Sequence, residues 1–544
     1  MAGISKNLFL FSLLIFFSSV VSAQNKKYIV HFTDKNNSPY TISNPSAYLS
    51  SKAIARRQKQ NIKIMSNDLP VQQNYIDSLT KHGAQVLYSL KWTNAAVVLA
   101  DSLTMVDINS LPFVKIYNQL AMRMATNSYC TTGEKTKAKN NQSSSLYGNS
   151  YNQVHMLEAD KMHEDGFQGE GMLMAILDAG FKVADTVSFL KHLFTNNQIL
   201  TTYDFVDKEI DVYDDDQHGL EVLSTIAGYQ PGALVGTAYN ASFVLLRTED
   251  VSSETEIEEA NWAKAAEYAD SIGVDIISSS LGYTKFDSGI RHTYSEIDGK
   301  TTIVAIAADI AASKGILVLS SAGNEGSSSW HIISTPADGD SVLAIGAVDL
   351  NGKYAYFSSV GPSFDGRIKP DLAAMGENAT CGIPSGAITT NSGTSFSCPL
   401  TAGLAAGLWQ AFPELTNMQI ADALRKSASQ YFHPDIYLGY GIPGYVKAKE
   451  YIEAVYNNAN VDFVVYPNPI KEGNVWFTSE GKYFGQTVTV KMYDVAGQQV
   501  AEDKVTVSNI KNETLINMAI FPEGMYLLRF YFPDKTLKKK IVRY

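Results

Sequence analysis

Cysteine is scarce: three in 544 residues, Cys130, Cys381 and Cys398. Their spacing fits no metal-site pattern, and so few exclude a dense disulfide framework. Pairing of Cys381 with Cys398 is open to the chain and would leave Cys130 over, but nothing in the sequence favours it. Positive charge is also short. Lysine and arginine number 44 against 55 acidic residues, a formal charge of −11, which argues against a nucleic-acid partner. Beyond the amino terminus no stretch is long and apolar enough to span a bilayer, so no transmembrane anchor is expected. The Gly-x-Ser-x-Gly elbow of α/β-hydrolase esterases is missing, and that class is set aside. Acidic stretches leave structural calcium open, but no spacing specifies a site.

What is present describes a folded, multidomain chain. Apolar residues make up 45% and charged residues 18%, and the length implies two to four domains. Residues 1–23 read as an export signal: Lys6 supplies the charge, 8–21 the apolar stretch, and Val21-Ser22-Ala23 the small-residue end. No cysteine follows that end, so a lipoprotein anchor there is not expected.

Residues 24–125 alternate strand and helix patterns, with strands at 28–32, 85–90, 95–99 and 114–117, and suggest a small α+β domain. From 126 to 147 the composition turns to Asn, Ser, Thr, Lys and Gly, a flexible, protease-accessible linker. Residues 148–457 show continuous apolar strands at 172–177, 242–246, 274–278, 316–320 and 342–348, with amphipathic helices between them. That pattern predicts a parallel sheet covered by helices on both faces. Functional groups then belong at the carboxyl ends of the strands. Residues 461–544 read as short alternating strands forming a C-terminal β-sandwich.

Four features answer the strand-end rule. Asp178-Ala179-Gly180 closes the first apolar run, and His218-Gly219 opens a helix after Asp214-Asp215-Asp216. Ser321-Ala322-Gly323-Asn324 follows a strand. Asn391-Ser392-Gly393-Thr394-Ser395 leads into 400–409, a helix with no polar face. Each has a plain alternative: a loop carboxylate, a structural histidine, a turn, and Thr394 or Ser395 as a helix cap. Gly403 and Gly407 in that helix suggest that other backbone passes close by. The acidic run could also be a solvated loop, since three consecutive aspartates cannot all face one ion.

Taken together, the features run Asp178, His218, Asn324, Ser395, and Asp178, His218 and Ser395 follow the Asp, His, Ser order of the subtilisin triad. The chain resembles the subtilisin-like serine proteases (subtilases) over about residues 151–454. The resemblance also rests on Ser280-Leu281-Gly282, on Phe357-Ser358-Ser359-Val360-Gly361-Pro362, and on Asp365-Gly366-Arg367-Ile368-Lys369-Pro370-Asp371. It implies a subtilisin-like α/β fold and a secreted serine endopeptidase working through an acyl-enzyme. Ser395 would attack the scissile carbonyl, His218 would move the proton and Asp178 would orient His218. Asn324 and the Ser395 N–H would hold the oxyanion. Ser280, Leu281 and Gly282, and Ser321, Ala322 and Gly323, would be two edges binding an extended polypeptide substrate by strand addition. No cofactor would be required for catalysis.

Ala179, Leu220 and Phe396-Ser397 depart from the family pattern without removing a triad group. Residues 283–302 are extra length, read as a surface loop or as a rim that restricts substrates. By the same resemblance, 24–125 would be an inhibitory propeptide. Residues 461–544, with Tyr466-Pro467-Asn468-Pro469 and Lys538-Lys539-Lys540, resemble a type IX secretion sorting domain. The plain alternative for that segment is a carbohydrate- or partner-binding module. The expected destination is the cell surface or medium, reached through the periplasm of a Gram-negative bacterium. The competing reading of the whole is a binding protein on a decayed protease scaffold, which the intact triad opposes.

Overall fold

The computed structural model describes residues 25–120, 145–287, 289, 291–456, 463–466, 468–470, 474–479, 486–506, 514–533 and 535–544. The export-signal reading of 1–23, most of the linker reading of 126–147, and Cys130 lie outside the described residues.

The amino-terminal region runs β1 (Lys26–Phe32), α1 (Ser51–Lys59), α2 (Gln73–Lys81), β2 (Gln85–Leu90), β3 (Ala95–Ala100), α3 (Ser102–Asn109) and β4 (Val114–Gln119). Its antiparallel sheet has the order β2-β3-β1-β4. Strand alternation explains its packing. Tyr28, Val30 and Phe32 of β1, with Ala96, Val98 and Ala100 of β3, meet Leu79 of α2 and Met105 and Ile108 of α3. The intervening residues Ile29, Ala95 and Val97 join a second cluster with Trp262, Ala263 and Ala266, further along the chain. β3 is an unbroken apolar run because both of its faces are buried.

The central region begins with α4 (Tyr151–Met156), α5 (Ala159–Glu164), β5 (Leu173–Asp178), α6 (Lys191–Thr195), β6 (Ile199–Asp204) and α7 (His218–Ala227). There follow β7 (Tyr229–Gln230), β8 (Leu234–Val235), β9 (Ser242–Arg247), α8 (Ile257–Ile272), β10 (Ile276–Ser279), α9 (Ile303–Ser313), β11 (Leu317–Ser321), β12 (Val342–Val348) and β13 (Leu372–Met375). Then come β14 (Ala379–Gly382), β15 (Ile388–Asn391), α10 (Thr394–Ala411), α11 (Asn417–Ser427) and α12 (Tyr445–Val455). Seven strands form one parallel sheet in the order β13-β12-β11-β10-β5-β9-β6. Met174 and Ile176 of β5 cluster with Leu223 of α7 and Leu404 of α10. Leu173, Ala175 and Leu177 cluster with Trp262 of α8 and Ala308 of α9. Helices thus cover both faces, as the apolar strands predict. The chain leaves β5 for β6, returns to β9 beside β5, and crosses to β10 on its other side. The connections therefore diverge beside β5, and at the carboxyl ends of such a sheet this is where a crevice belongs.

α10 is buried from Thr394 to Trp409. A Cβ at Gly403 would overlap Thr237 Oγ1, and one at Gly407 would overlap the Met162 thioether. Those approaches explain the small residues.

The amino-terminal region is fastened to the central one by a polar stripe on α8. Asn261, Lys264, Glu267 and Asp270 recur every three residues on one side of that helix. The Tyr88 hydroxyl donates to Asn261 Oδ1 (2.6 Å), and Lys264 Nζ donates to the Ser89 carbonyl (2.8 Å). The Trp92 N–H donates to Glu267 Oε1 (2.7 Å). Asp270, fully buried, pairs with Arg56 at 2.6 Å, Arg57 at 2.9 Å and Lys91 at 3.4 Å. Arg56 also donates to the carbonyls of Lys314 (3.1 Å) and Val274, closing the carboxyl ends of α9 and α8.

The carboxyl-terminal region comprises β16 (Phe463–Tyr466), β17 (Asn474–Ser479), β18 (Thr487–Tyr493), β19 (Gln499–Thr506), β20 (Thr514–Asn517), β21 (Gly524–Tyr531) and β22 (Thr536–Arg543). They form two antiparallel sheets, β16-β17-β20 and β19-β18-β21-β22. Val475 and Phe477 of the first share a core with Val490, Leu528 and Phe530 of the second. Cys381 and Cys398 are free buried thiols, so the pairing left open above is not made. Burial pushes Cys398 up to about 12 and raises Cys381 well above its ordinary value, leaving both inert. Among the described residues no helix is long and apolar enough to cross a membrane.

Candidate active site

Asp178 is the last residue of β5 and fully buried. Its Oδ1 accepts the Ala179 N–H at 2.8 Å and faces His218 Nδ1 at 2.7 Å. His218 is the first residue of α7, and its N–H is held by Asp216 Oδ1 at 2.8 Å. Gly219 is demanded by crowding, since a Cβ there would overlap the Gly180 carbonyl and sit 3.0 Å from the Asp178 Cβ. Burial works against a charged imidazole at His218. The charge and hydrogen bond of Asp178, with Glu221 and Asp216 behind them, outweigh it and raise His218 to about 9.

Ser395 is the second residue of α10 and 7% exposed. Its Oγ lies 3.4 Å from the Ser280 carbonyl, and Ser280 Oγ donates to the Ser395 carbonyl at 2.9 Å. Pro399 makes that second bond available. Four residues on, it has no N–H to give, so the Ser395 carbonyl lacks its helical donor and takes the Ser280 hydroxyl instead. Among the described residues no hydrogen bond joins Ser395 to His218. The imidazole instead lies edge-on to the neighbouring Phe396 ring, centroids 6.4 Å apart. Such contacts often tighten only when substrate arrives.

The cap reading is corrected. Gly393 stands at the cap position, and neither Thr394 nor Ser395 caps α10 with its side chain. The Thr394 N–H (2.9 Å) and hydroxyl (3.0 Å) both donate to Asn324 Oδ1, and the Gly323 N–H donates to Thr394 Oγ1 at 3.2 Å. A backbone donor on Oδ1 fixes the amide's orientation and leaves Nδ2 free to donate. A Cβ built on Gly393 would lie 3.5 Å from Asn324 Nδ2 and 3.7 Å from the Ser395 nitrogen. The two donors therefore border the same space. The Ser395 N–H, early in its helix, has no helical acceptor.

Ser280, Leu281 and Gly282 follow β10. Leu281 accepts from Ser321 Oγ at 3.4 Å, while exposed Gly282 keeps both backbone groups unpaired among the described residues. That is one free strand edge. The second edge expected at Ser321, Ala322 and Gly323 is not free. The Ala322 N–H donates to the Ile345 carbonyl (2.9 Å), and the Ala322 carbonyl accepts from the Ser334 N–H (3.0 Å). The Gly323 carbonyl takes the Ser359 N–H at 2.9 Å. Intramolecular bonds use this stretch, which is a wall rather than an edge. The extra length 283–302 is anchored rather than loose: Tyr283 and Phe286 are buried, and His292 Nε2 meets Glu259 at 2.6 Å.

Two groups of three carboxylates converge among the described residues. Asp204, Asp207 and Asp215 surround Arg247 at 2.6, 2.6 and 2.9 Å, so a guanidinium already fills that place. Glu249, Glu254 and Glu258 lie near Tyr283. Burial raises all three, and the proximity of Glu249 and Glu258 keeps protons among them.

Sequence reasoning missed Thr394 as the holder of Asn324, and Glu221, whose buried carboxylate sits one turn after His218. The spacing of three from His218 on one helix was the available signal for Glu221.

A family model described as "Subtilase family" matches residues 169–441, just over half of the chain. "Peptidase S8 propeptide domain, Bacteroidota" matches 27–142, and "Secretion system C-terminal sorting domain" matches 464–543. Subtilisin NAT of Bacillus subtilis subsp. natto is 27% identical over 410 residues, 74% of this chain and 92% of that protein. Subtilisin DY of Bacillus licheniformis is 28% identical over 291 residues, 53% and 94% of the two chains. A crystal structure of MycP1 from Mycobacterium smegmatis is similar over 59% of this chain and 89% of that one, with 21% identity and a TM-score of 0.44. By that peptidase match, the propeptide match ahead of it and its subtilisin relatives, the chain belongs to the subtilase family: an exported serine endopeptidase made as a propeptide-bearing precursor.

Proposed function

We propose that Ser395 is the nucleophile, His218 the general base and acid, and Asp178 the group that orients His218. The observation that carries this assignment is the 2.7 Å contact between Asp178, buried at the carboxyl end of β5, and His218 Nδ1. With Nδ1 committed to the carboxylate, Nε2 is the nitrogen left to take the Ser395 proton. Oγ adds to the scissile carbonyl carbon, and the oxyanion is received by Asn324 Nδ2 and the Ser395 N–H. His218 then gives its proton to the leaving amine, and water repeats the sequence on the acyl-enzyme.

Gly282 is the edge on which an extended substrate backbone pairs, with the Ser321, Ala322 and Gly323 wall facing it. No step is routed through a metal, and any calcium would act on stability. Residues 24–125 inhibit the peptidase until the chain cuts itself within 126–147. Residues 1–23 take the chain to the periplasm, and residues 461–544 engage type IX secretion machinery for passage to the cell surface or medium.

A fluorophosphonate probe tests the central assignment. Processed wild type should be labelled, while Ser395→Ala should not be labelled and should keep its propeptide when expressed alone. Labelling of that variant, or its cleavage within 126–147 with no other protease present, would overturn the assignment.

A further inference from the structure

We propose that Glu221 is a positioning residue of the peptidase reaction. It clips the helix that carries His218 to the strand that delivers Ser395, and it adds its negative charge to those of Asp178 and Asp216 around the imidazole. The proposal rests on His218 being the base.

The geometry is a short bridge. Glu221 lies one turn after His218 on α7 and is buried. Its Oε2 accepts Asn391 Nδ2 at 2.8 Å, and its Oε1 accepts Gln217 Nε2 at 2.9 Å. Asn391 is the last residue of β15, four before Ser395. Its own Oδ1 accepts the Ser392 N–H at 2.8 Å, which fixes the amide so that Nδ2 must point at Glu221. Two amide donors on two oxygens suit an ionised carboxylate, which only accepts. Base and nucleophile sit on separate elements, and this bridge ties α7 to the strand before the nucleophile.

The same carboxylate faces the imidazole electrostatically. The groups acting on His218 are Asp178 at the end of β5, Asp216 before α7 and Glu221 on α7, while Phe396 of α10 offers only a ring edge. Glu221 in turn faces His218, Asp216 and Asp178, and the Cys381 thiol on β14. Burial raises the Glu221 carboxyl above its ordinary value, and the Asn391 bond pulls it back down.

Two variants of the full-length, self-processing enzyme separate the two roles. Glu221→Gln removes the charge and keeps one oxygen to accept the Asn391 amide, while the exposed Gln217 side chain is free to turn away from the new NH2. The ascending limb of its kcat/KM against pH should move to lower pH by about half a unit to one unit. Asn391→Ala removes the tether and leaves the charge. Its midpoint should stay at the wild-type value while kcat on the alkaline plateau falls about tenfold, because a displaced nucleophile loses its near-attack geometry. An unmoved midpoint in Glu221→Gln overturns the proposal, and so does a wild-type kcat in Asn391→Ala. The second variant leaves the buried carboxylate in place, so it remains decisive where Glu221→Gln does not fold. His218→Ala distinguishes the underlying failure: if it keeps wild-type turnover, the base assignment is wrong. If it is inactive while Glu221→Gln keeps the midpoint, only the role of Glu221 is wrong.

Discussion

Against the cost of burial, the neighbouring Asp178 carboxylate raises His218 to about 9, and as the proposed general base His218 must release its proton. kcat/KM of the processed enzyme should therefore climb through pH 7–9 rather than level off near neutrality. The linkage has the opposite sign for stability. A folded value above the ordinary 6.5 contributes stabilisation that is complete below pH 6.5 and lost as pH rises through about 9. Activity and stability thus move apart over one window, readable by pairing a pH–rate profile with thermal unfolding. At Asn324, replacement by Asp keeps the acceptor for Thr394 and removes the Nδ2 donor. That variant should lose about 10²–10³ in kcat while its unfolding temperature holds. An unchanged kcat would remove Asn324 from the oxyanion site.

As candidates, Asp178, His218 and Asn324 stood out in the sequence because each lies within two residues of a glycine, near a strand or helix end. Thr394 and Glu221 were not, because their roles lie in partners 70 and 170 residues away.

Among the elements, α8 shows how much the apolar pattern leaves out. Periodicity finds the helix, but not that Asn261, Lys264, Glu267 and Asp270 all meet the amino-terminal region. Asp270 carries the largest share, since burial disfavours its charge and Lys91, Arg56 and Arg57 together hold its carboxyl below the ordinary range. Asp270→Ala leaves the buried Arg56 guanidinium without its carboxylate, while Arg57 keeps Asp68 at 2.9 Å. Breaking a buried pair in this way costs about 3–5 kcal/mol. The precursor should then unfold at a lower temperature and fold in lower yield. Any enzyme that matures should turn over substrate normally, because Asp270 lies at the far end of α8 from the crevice. A precursor as stable as wild type would show that the cluster contributes nothing net. The second substrate edge failed for a related reason: a strand end is visible in the sequence, but whether its amides are already spoken for is not. Ser321, Ala322 and Gly323 look open until Ser334, Ile345 and Ser359 are placed around them.

In the molecule as a whole, the division of labour follows the cores. The carboxyl-terminal sheets keep a core of their own, with Val475, Phe477, Val490 and Leu528 in it and, among the described residues, none from the central region. A chain ending at residue 456 should therefore fold its central region and cleave peptides as the full chain does. It should accumulate in the periplasm rather than reach the surface or medium. Fractionation of cells expressing the two forms reads this directly, and equal export would remove the sorting role from residues 461–544.

α10 has no side for water from Thr394 to Trp409. A helix of that kind has no stable existence apart from the strands that cover it. Ser395, the proposed nucleophile, is therefore in place only once distant parts of the chain have closed around its helix. That gives the protein a chronology. Until that closure it has no means of cutting itself, and its chemistry arrives only with the completed fold.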